Sequence, residues 1–223
     1  MAPESTPPAL DRRKRKSRAA LQIALLDLIA EKSYAAITVD DIAARADVAR
    51  ATFYAHYHDK SALLLEATGE LLGDLAVQVA AVVPRDQLVF SGDGVRAVFA
   101  HAQAHSALYR LLLTGEAGRE ARALMIETFR SLTTTVFSRI VEAQGARPQV
   151  PMAALVTGFV GACLLTLEAL MLDELEGDVQ ERIGALVQSQ AYGIAWGLDL
   201  EPDTVRYVGP APRPSSDGDS PLA

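Results

Sequence analysis

The chain has 223 residues, of which 50% are hydrophobic and 22% charged, so it can bury a sizeable core and is expected to be globular. Its 21 Lys/Arg and 28 Asp/Glu give a formal net charge of −7, a balance that by itself argues against nucleic-acid binding. The single cysteine, Cys163, excludes an internal disulfide, and the opening residues lack the apolar segment of a signal peptide. We therefore expect a cytoplasmic protein.

The charge is unevenly distributed along the chain. Residues 1–60 contain ten Lys/Arg and eight Asp/Glu, a net charge of +2, which leaves −9 for the remainder. Six of these positive charges fall within the seven residues 12–18, named here the basic block. Such a block creates a local positive potential whatever the net charge of the chain, although a solvated basic tail has the same composition.

The spacing of apolar residues predicts an all-α chain of about nine helices. Only three of the eleven prolines, Pro84, Pro148 and Pro151, lie between residues 8 and 201, so long helices are permitted almost everywhere. The predicted helices cover residues 12–32, a short segment after a Thr38 cap, and residues 49–57, 59–82, 93–105, 107–114, 116–144, 150–175 and 178–198. Residues 1–11 and the Pro-, Gly- and Ser-rich tail 201–223 are predicted to be disordered.

One predicted helix contains an unusually apolar run. Residues 152–172 carry Glu168 as their only charge, and 21 residues are long enough to span a bilayer. An acidic flank and the internal Gly158 and Gly161 instead favour a helix buried at a subunit interface. We therefore expect no membrane association.

Residues 38–60 read TVDDIAARADVARATFYAHYHDK. Their pattern predicts two short helices that cross closely at small alanines, a helix-turn-helix. The turn falls at Asp47, which must then adopt a positive φ. A short second helix rich in hydroxyl and cationic side chains suits the major groove of DNA, where such groups also hold phosphates.

The run of residues 37–64 closely resembles the signature of the TetR/AcrR family of bacterial transcriptional regulators. That signature has Thr, then Ile-Ala, Ala-Gly-Val-Ser, Thr-x-Tyr-x-x-Phe and x-x-Lys-x-x-Leu, against Thr38, Ile42-Ala43, Ala46-Asp-Val-Ala49, Thr52-Phe-Tyr54 and Lys60 here. The resemblance implies a helix-turn-helix DNA-binding domain over residues 12–60 and a helical regulatory and dimerisation domain over residues 61–200. Asp47 and Ala49 depart from the family's Gly and Ser, and the missing Ser cap costs about 1 kcal/mol of helix stability.

The resemblance also implies which residues contact DNA. Phosphate contacts would come from Arg12, Arg13, Lys14, Arg15, Thr38 and Lys60. Recognition-helix contacts would come from Thr52, Tyr54 and Tyr57, with Arg50, Ala51 and His56 at the positions that choose sequence. Tyr54 has a partly structural alternative as a core residue. Arg50 could pair bidentately with a guanine, and Ala51 could touch a thymine methyl.

The last two helices are the predicted dimer interface, since small residues allow close approach and apolar ones supply surface. The interface residues are Leu155, Phe159, Gly161, Ile183, Val187 and Ile194. A two-fold dimer implies a palindromic operator. The candidate effector-pocket residues are Phe99, His101, His105, Tyr109, Met125, Phe129, Phe159, Cys163 and Trp196, for each of which an ordinary core position is the alternative.

Chemistry other than binding has little support in the sequence. His101 and His105 stand four residues apart, as metal ligands can, but no third ligand accompanies them, so neither a metal nor a cofactor is expected. No nucleophile with its base, phosphate loop or carboxylate pair is evident, so an enzyme is not expected. Two functions remain: a homodimeric repressor that responds to an unidentified small molecule, or a helical small-molecule-binding or scaffold protein whose helix-turn-helix has lost DNA affinity.

Overall fold

The computed structural model describes residues 8–83, 92–172 and 178–200. Across these residues every regular element is helical, which confirms the predicted all-α class. Nine α-helices are described: α1 Pro8–Glu31, α2 Val39–Arg45, α3 Arg50–Tyr54, α4 Lys60–Val82, α5 Asp93–Ala104, α6 Ser106–Leu113, α7 Arg119–Gln144, α8 Met152–Met171 and α9 Val179–Leu198. A single 3₁₀ turn, Tyr34–Ala36, lies between α1 and α2 and has no counterpart among the predicted elements.

The helix ends follow the local chemistry, and several of them differ from the prediction, including the start of α7 at Arg119 rather than at residue 116. Helix α1 begins at Pro8, inside the segment predicted to be disordered, because proline is well suited to the first helical position. Helix α3 ends at Tyr54 rather than at residue 57, since the extended Asp59 that caps α4 follows closely. Helix α8 ends at Met171, and residues 173–175 of its predicted extension lie outside the described residues, as do residues 1–7 and the tail 201–223.

Buried apolar side chains form one continuous core from Leu21 in α1 to Leu200 after α9. The first three helices pack on each other and on the start of α4 through fully buried residues such as Leu25, Ile42 and Phe53. Helix α4 continues into the second part of the molecule, where it packs against α5 and α7. A single long helix, α4, therefore connects the helix-turn-helix with the helices that follow it.

Helix α8 is long and apolar enough, by length and composition, to cross a membrane. It packs against α5, α6, α7 and α9, with buried contacts at Val156, Val160 and Leu167. These contacts are what a core helix makes within one chain, and the subunit interface expected for this segment stays a prediction.

Candidate nucleic-acid interface

Helix α2 begins with a complete capping box. The Thr38 Oγ1 accepts a hydrogen bond from the Asp41 backbone N–H at 3.1 Å, and the Thr38 N–H donates to the Asp41 carboxylate at 2.8 Å. Lys32 lies 2.9 Å from the same carboxylate and, together with Thr38, holds the pKa of Asp41 well below its usual range. The exposed Thr38 is thus fixed at the helix N-terminus, where the predicted phosphate contact would be made.

The turn between α2 and α3 has the predicted conformation at Asp47. Its φ is 53°, and the next residue, Val48, donates its N–H to the Ala43 carbonyl at 3.0 Å. The start of α3 differs from that of α2, since Ala49 has the extended backbone of an N-cap but makes no side-chain capping bond. The short α3 is therefore held mainly by packing, chiefly through the fully buried Phe53.

The outer face of α3 presents Arg50, Ala51 and Tyr54 to solvent, while Thr52 and His56 are half-buried. The Arg50 Nη1 lies 2.8 and 2.7 Å from the two carboxylate oxygens of Asp40 on α2. The Tyr54 side chain is 48% exposed, so its predicted DNA contact is sterically open and its alternative as a core residue is disfavoured.

Tyr57 does not fit its predicted role as a DNA contact. It lies beyond the end of α3, is only 5% exposed, and donates its hydroxyl to Glu66 Oε1 at 2.8 Å. Burial raises the pKa of Tyr57 to about 12. Tyr57 belongs in sequence to residues 50–57, which we call the recognition segment. Its phenol instead anchors that segment to α4.

Glu66 on α4 is a structural centre that sequence reasoning missed. Besides Tyr57, its carboxylate accepts hydrogen bonds from Arg18 and from the Gln22 amide at 3.1 Å, both on α1. The Arg18 pKa is raised well above its usual value, chiefly by this bond to Glu66. The Glu66 carboxylate therefore links α1, α4 and Tyr57. In the sequence it appears only as a charged residue within an apolar helix.

Lys60 is also engaged inside the protein. Its Nζ donates to the carbonyls of Tyr34 and Ile37, each at 2.8 Å, and lies 4.4 Å from the centre of the Tyr34 ring. Partial burial lowers the Lys60 pKa. In this conformation Lys60 closes the 3₁₀ turn, and a phosphate would have to compete with backbone carbonyls for its protons.

The basic block is helical and its first five cations, from Arg12 to Lys16, are exposed. Ser17 connects the block to the end of the recognition segment, because its Oγ lies 2.8 Å from His56 Nε2. Burial, Arg18 and Lys14 together lower the pKa of His56. The C-terminal end of the basic block thus contacts His56, two residues beyond the end of α3.

An apolar cavity lies between the C-terminal part of α4 and helices α5, α7 and α8. Its interior has about 80 Å³ of space for the centres of water-sized molecules, and it opens to solvent. Four of the predicted pocket residues line it: Phe99, Phe129, Phe159 and Cys163. Among the described residues of its wall, the side-chain heteroatoms are the Thr133 hydroxyl and the Cys163 thiol, whose pKa burial raises to about 12.

The other five predicted pocket residues lie outside this cavity. Tyr109 and Met125 are fully packed core residues, and Trp196 is 62% exposed on the opposite side of α9 from the core. His101 is buried with its Nδ1 3.0 Å from the Tyr109 hydroxyl, and the His105 ring lies 4.7 Å away. Among the described residues no group of three His, Cys, Asp or Glu could hold a metal ion.

The predicted dimer-interface residues are mostly buried within one subunit. Ile183, Val187 and Ile194 are at most 3% exposed because they pack α9 onto its own subunit, and Phe159 faces the cavity. Leu155 packs against Gly197, where an added Cβ would lie 2.4 Å from Leu155 Cδ2. The spacing of apolar residues correctly predicts that this face of α9 is buried, but other helices of the same subunit bury it.

The apolar surface left uncovered on α8 and α9 belongs to different residues. Leu165 is 69% exposed and Trp196 62% exposed. Near them, an added Cβ at Gly158, Gly161 or Gly193 would meet open space within the described part of the chain. We call this surface, Gly158, Gly161, Leu165, Gly193 and Trp196, the open α8–α9 face. Of the predicted interface residues it contains Gly161 alone.

Comparison with known proteins identifies the helix-turn-helix. Residues 24–67 match the family model of bacterial regulatory proteins of the tetR family. An HTH-type transcriptional regulator of Bacillus subtilis, YxbF, is 52% identical over 56 residues, which are 25% of this chain and 15% of that protein. The match therefore covers only a small part of the relative's length.

Solved structures extend the similarity to the whole fold. A TetR-family transcriptional regulator from Syntrophomonas wolfei superposes with a TM-score of 0.68 at 15% identity, covering 81% of this chain and 96% of that one. Another, from Mesorhizobium loti, gives 0.61 at 16% identity over 83% and 96% of the two chains. The helix-turn-helix of this chain therefore matches that of the tetR family in sequence, and the helices of the chain share the fold of solved TetR-family regulators.

Proposed function

We propose that the protein is a homodimeric repressor that binds a palindromic DNA operator and releases it when an uncharged, largely apolar small molecule enters the cavity. The observation that carries the proposal is the course of α4. Its first turns hold the recognition segment through Glu66 and Tyr57, and its last turns supply Val79 to the cavity wall, with Val83 just beyond. A ligand that favours one position of α4 would therefore favour one position of the recognition segment.

The DNA side of the proposal is supported by the placement of charge. The exposed basic block contacts His56, two residues beyond α3, so positive charge lies close to where the duplex would be, despite a net charge of −7. The acidic remainder would then be held away from DNA. Two-fold pairing through the open α8–α9 face would present two such surfaces to successive major grooves.

The ligand class follows from the cavity wall. Burying an unpaired charge in an apolar site is costly, and the described residues of the wall offer a hydroxyl and a thiol as their side-chain heteroatoms. An uncharged ligand is therefore favoured over a carboxylate or an amine of the same length. The raised Cys163 pKa makes the thiol an apolar wall group rather than a nucleophile.

DNA binding is tested by selecting bound genomic fragments and titrating them by gel shift at several salt concentrations. Replacing Arg12, Arg13 and Lys14 by Gln should weaken binding to all sequences and reduce the salt slope by about 0.9 for each phosphate that is no longer neutralised. The matched control replaces three exposed arginines of the regulatory part, Arg110, Arg119 and Arg122. If the wild-type protein binds no DNA even at low salt, the repressor proposal fails and the binding or scaffold function is favoured.

Ligand release is tested with octanol, octanoate and octylamine as a series of equal length. Octanol should displace the DNA at lower concentration than either ion. Thr133→Phe, which fills the cavity without touching the helix-turn-helix, should retain DNA binding and lose the response to octanol. Equal potency of the three compounds, or an unchanged response in Thr133→Phe, would contradict this assignment of the cavity.

A further inference from the structure

We propose that Asp40 determines DNA specificity by controlling Arg50, an inference that rests on the DNA binding proposed above. The Arg50 Nη1 contacts both Asp40 carboxylate oxygens, at 2.8 and 2.7 Å. Its Nη2 lies 3.4 Å from the Tyr54 hydroxyl, and the guanidinium carbon lies 5.6 Å from the centre of the Tyr54 ring. The guanidinium is thus held between α2 and the outer face of α3.

This ion pair has little to do with folding. The Arg50 and Asp40 side chains are 59% and 64% exposed, and exposed ion pairs contribute little to stability because water and salt screen them. Asp40 has no part in the α2 capping box, which is made by Thr38 and Asp41. The conformation of Arg50 and the net charge around its guanidinium are therefore what Asp40 changes most.

The pairing makes Arg50 a poor phosphate ligand and leaves it a good base reader. A guanidinium neutralised by its own carboxylate releases few counterions at a random DNA site, so it adds little to non-specific binding. A guanine edge in the major groove offers two acceptors, O6 and N7, in the geometry of a carboxylate. Arg50 therefore leaves Asp40 only where DNA supplies such an acceptor pair, and Asp40 suppresses binding elsewhere.

The test is Asp40→Asn, with Glu31→Gln as the matched control. Glu31 forms a comparably exposed pair with Arg45, at 2.9 and 2.7 Å, on the same part of the chain. Each variant removes one negative charge, but only Asp40→Asn frees Arg50. Dissociation constants are measured for a fragment selected from genomic DNA and for unrelated DNA, over a range of salt concentrations, after unfolding curves show that both variants are folded.

Asp40→Asn should lower the ratio of specific to non-specific affinity by about threefold to tenfold. It should also steepen the salt dependence of non-specific binding by about one counterion, whereas Glu31→Gln leaves the ratio unchanged. In an Arg50→Ala background Asp40→Asn should have no effect on the ratio, since the residue that it controls is gone.

Two results overturn the proposal while leaving the proposed function in place. One is an Asp40→Asn variant that changes both affinities equally, as the control does. The other is a loss of specificity that persists in the Arg50→Ala background, since Asp40 would then act independently of Arg50. A wild-type protein that binds no DNA would instead overturn the proposed function, and this inference with it.

Discussion

The helix-turn-helix part and the helices that follow it are called here the DNA-facing and regulatory parts, after the functions proposed for them. They share one apolar core but differ in the contacts that supplement it. In residues 12–67, buried side chains such as Phe53 pack the helices, and directional polar contacts fix them further: the Thr38 capping box, Lys60 on two carbonyls and Glu66 between α1, α4 and Tyr57. In residues 92–172 and 178–200, apolar side chains pack closely against glycines, as Leu155 does against Gly197. Polar anchors make the first part sensitive to charge, and close packing makes the second sensitive to volume.

The largest loss of stability is expected from removing the Glu66 carboxylate. Glu66→Ala leaves the buried Tyr57 hydroxyl without its acceptor and frees Arg18 and Gln22, so the free energy of unfolding should fall by about 2–3 kcal/mol. DNA affinity should fall as well, because the recognition segment loses its attachment to α4. Urea unfolding followed by circular dichroism measures the first effect, and gel shift measures the second.

Glu70→Ala provides the control for this experiment. Glu70 lies one turn further along α4 and is exposed, so its removal should change the free energy of unfolding by no more than about 0.5 kcal/mol. If both variants lost the same free energy of unfolding, the hydrogen bonds of Glu66 would contribute nothing to stability beyond what any glutamate on α4 contributes. The contrast between the two parts of the molecule would then lose its main support.

The same contrast explains which features could be predicted from the sequence. Caps and turns depend on residue type, so Thr38 was predicted as a helix cap and Asp47 as the turn, and both are confirmed. Long-range polar contacts carry no such local mark. The anchoring of Tyr57 by a residue nine positions away was therefore missed.

Apolar packing was harder to predict for a different reason. Periodicity shows that one face of α9 is buried, but it does not show what covers that face. Ile183, Val187 and Ile194 were therefore assigned to a dimer interface although they pack within the subunit. Trp196 was placed in the pocket by its residue type, yet the helix turns it outward.

Gly197→Ala tests the volume sensitivity of the regulatory part. The added Cβ would meet Leu155 Cδ2, the far end of a flexible side chain, so the free energy of unfolding should fall by about 0.5–1.5 kcal/mol as Leu155 leaves its preferred rotamer. Combining it with Leu155→Ala should cost less than the sum of the two single changes, because the clash is then removed. Both are measured by urea unfolding.

Gly73→Ala is the matched control for the glycine change. It lies in the interior of α4 with no heavy atom within 4 Å of an added Cβ. Alanine there should raise the free energy of unfolding by about 0.5–1 kcal/mol, since it favours the helix without a clash. If Gly197→Ala were also stabilising, close packing of α8 on α9 would not be the constraint inferred here.

A smaller effect on stability is expected from protonation of His101, which is buried against the Tyr109 hydroxyl. Burial and the neighbouring His105 lower the pKa of His101, so the unfolded chain binds its proton at higher pH than the folded one. This contribution to stability is present above the ordinary histidine value of 6.5 and is lost as the pH falls below it. The free energy of unfolding should therefore decrease between about pH 7 and about pH 5.

His101→Gln should reduce that pH dependence, because glutamine can bond Tyr109 but does not titrate in this range. The exposed His105→Gln change provides the comparison and should leave more of the dependence in place. His56, whose pKa is also lowered, contributes in the same direction in both variants and so cancels in the comparison. An unchanged pH profile in His101→Gln would show that His101 is not the responsible group.

The smallest effect on stability is expected at the start of α3, which lacks the side-chain cap that α2 and α4 have. Ala49 already has the extended backbone of an N-cap, with φ −68° and ψ 146°, so Ala49→Ser should add the missing bond and stabilise the protein by about 1 kcal/mol. Ala55→Ser at the other end of α3 should give no such gain. Because a better-ordered α3 loses less entropy on binding, operator affinity should rise together with stability. A gain in stability without a gain in affinity would mean that α3 is already fully ordered before it meets DNA, held by Phe53 and the Tyr57 anchor alone.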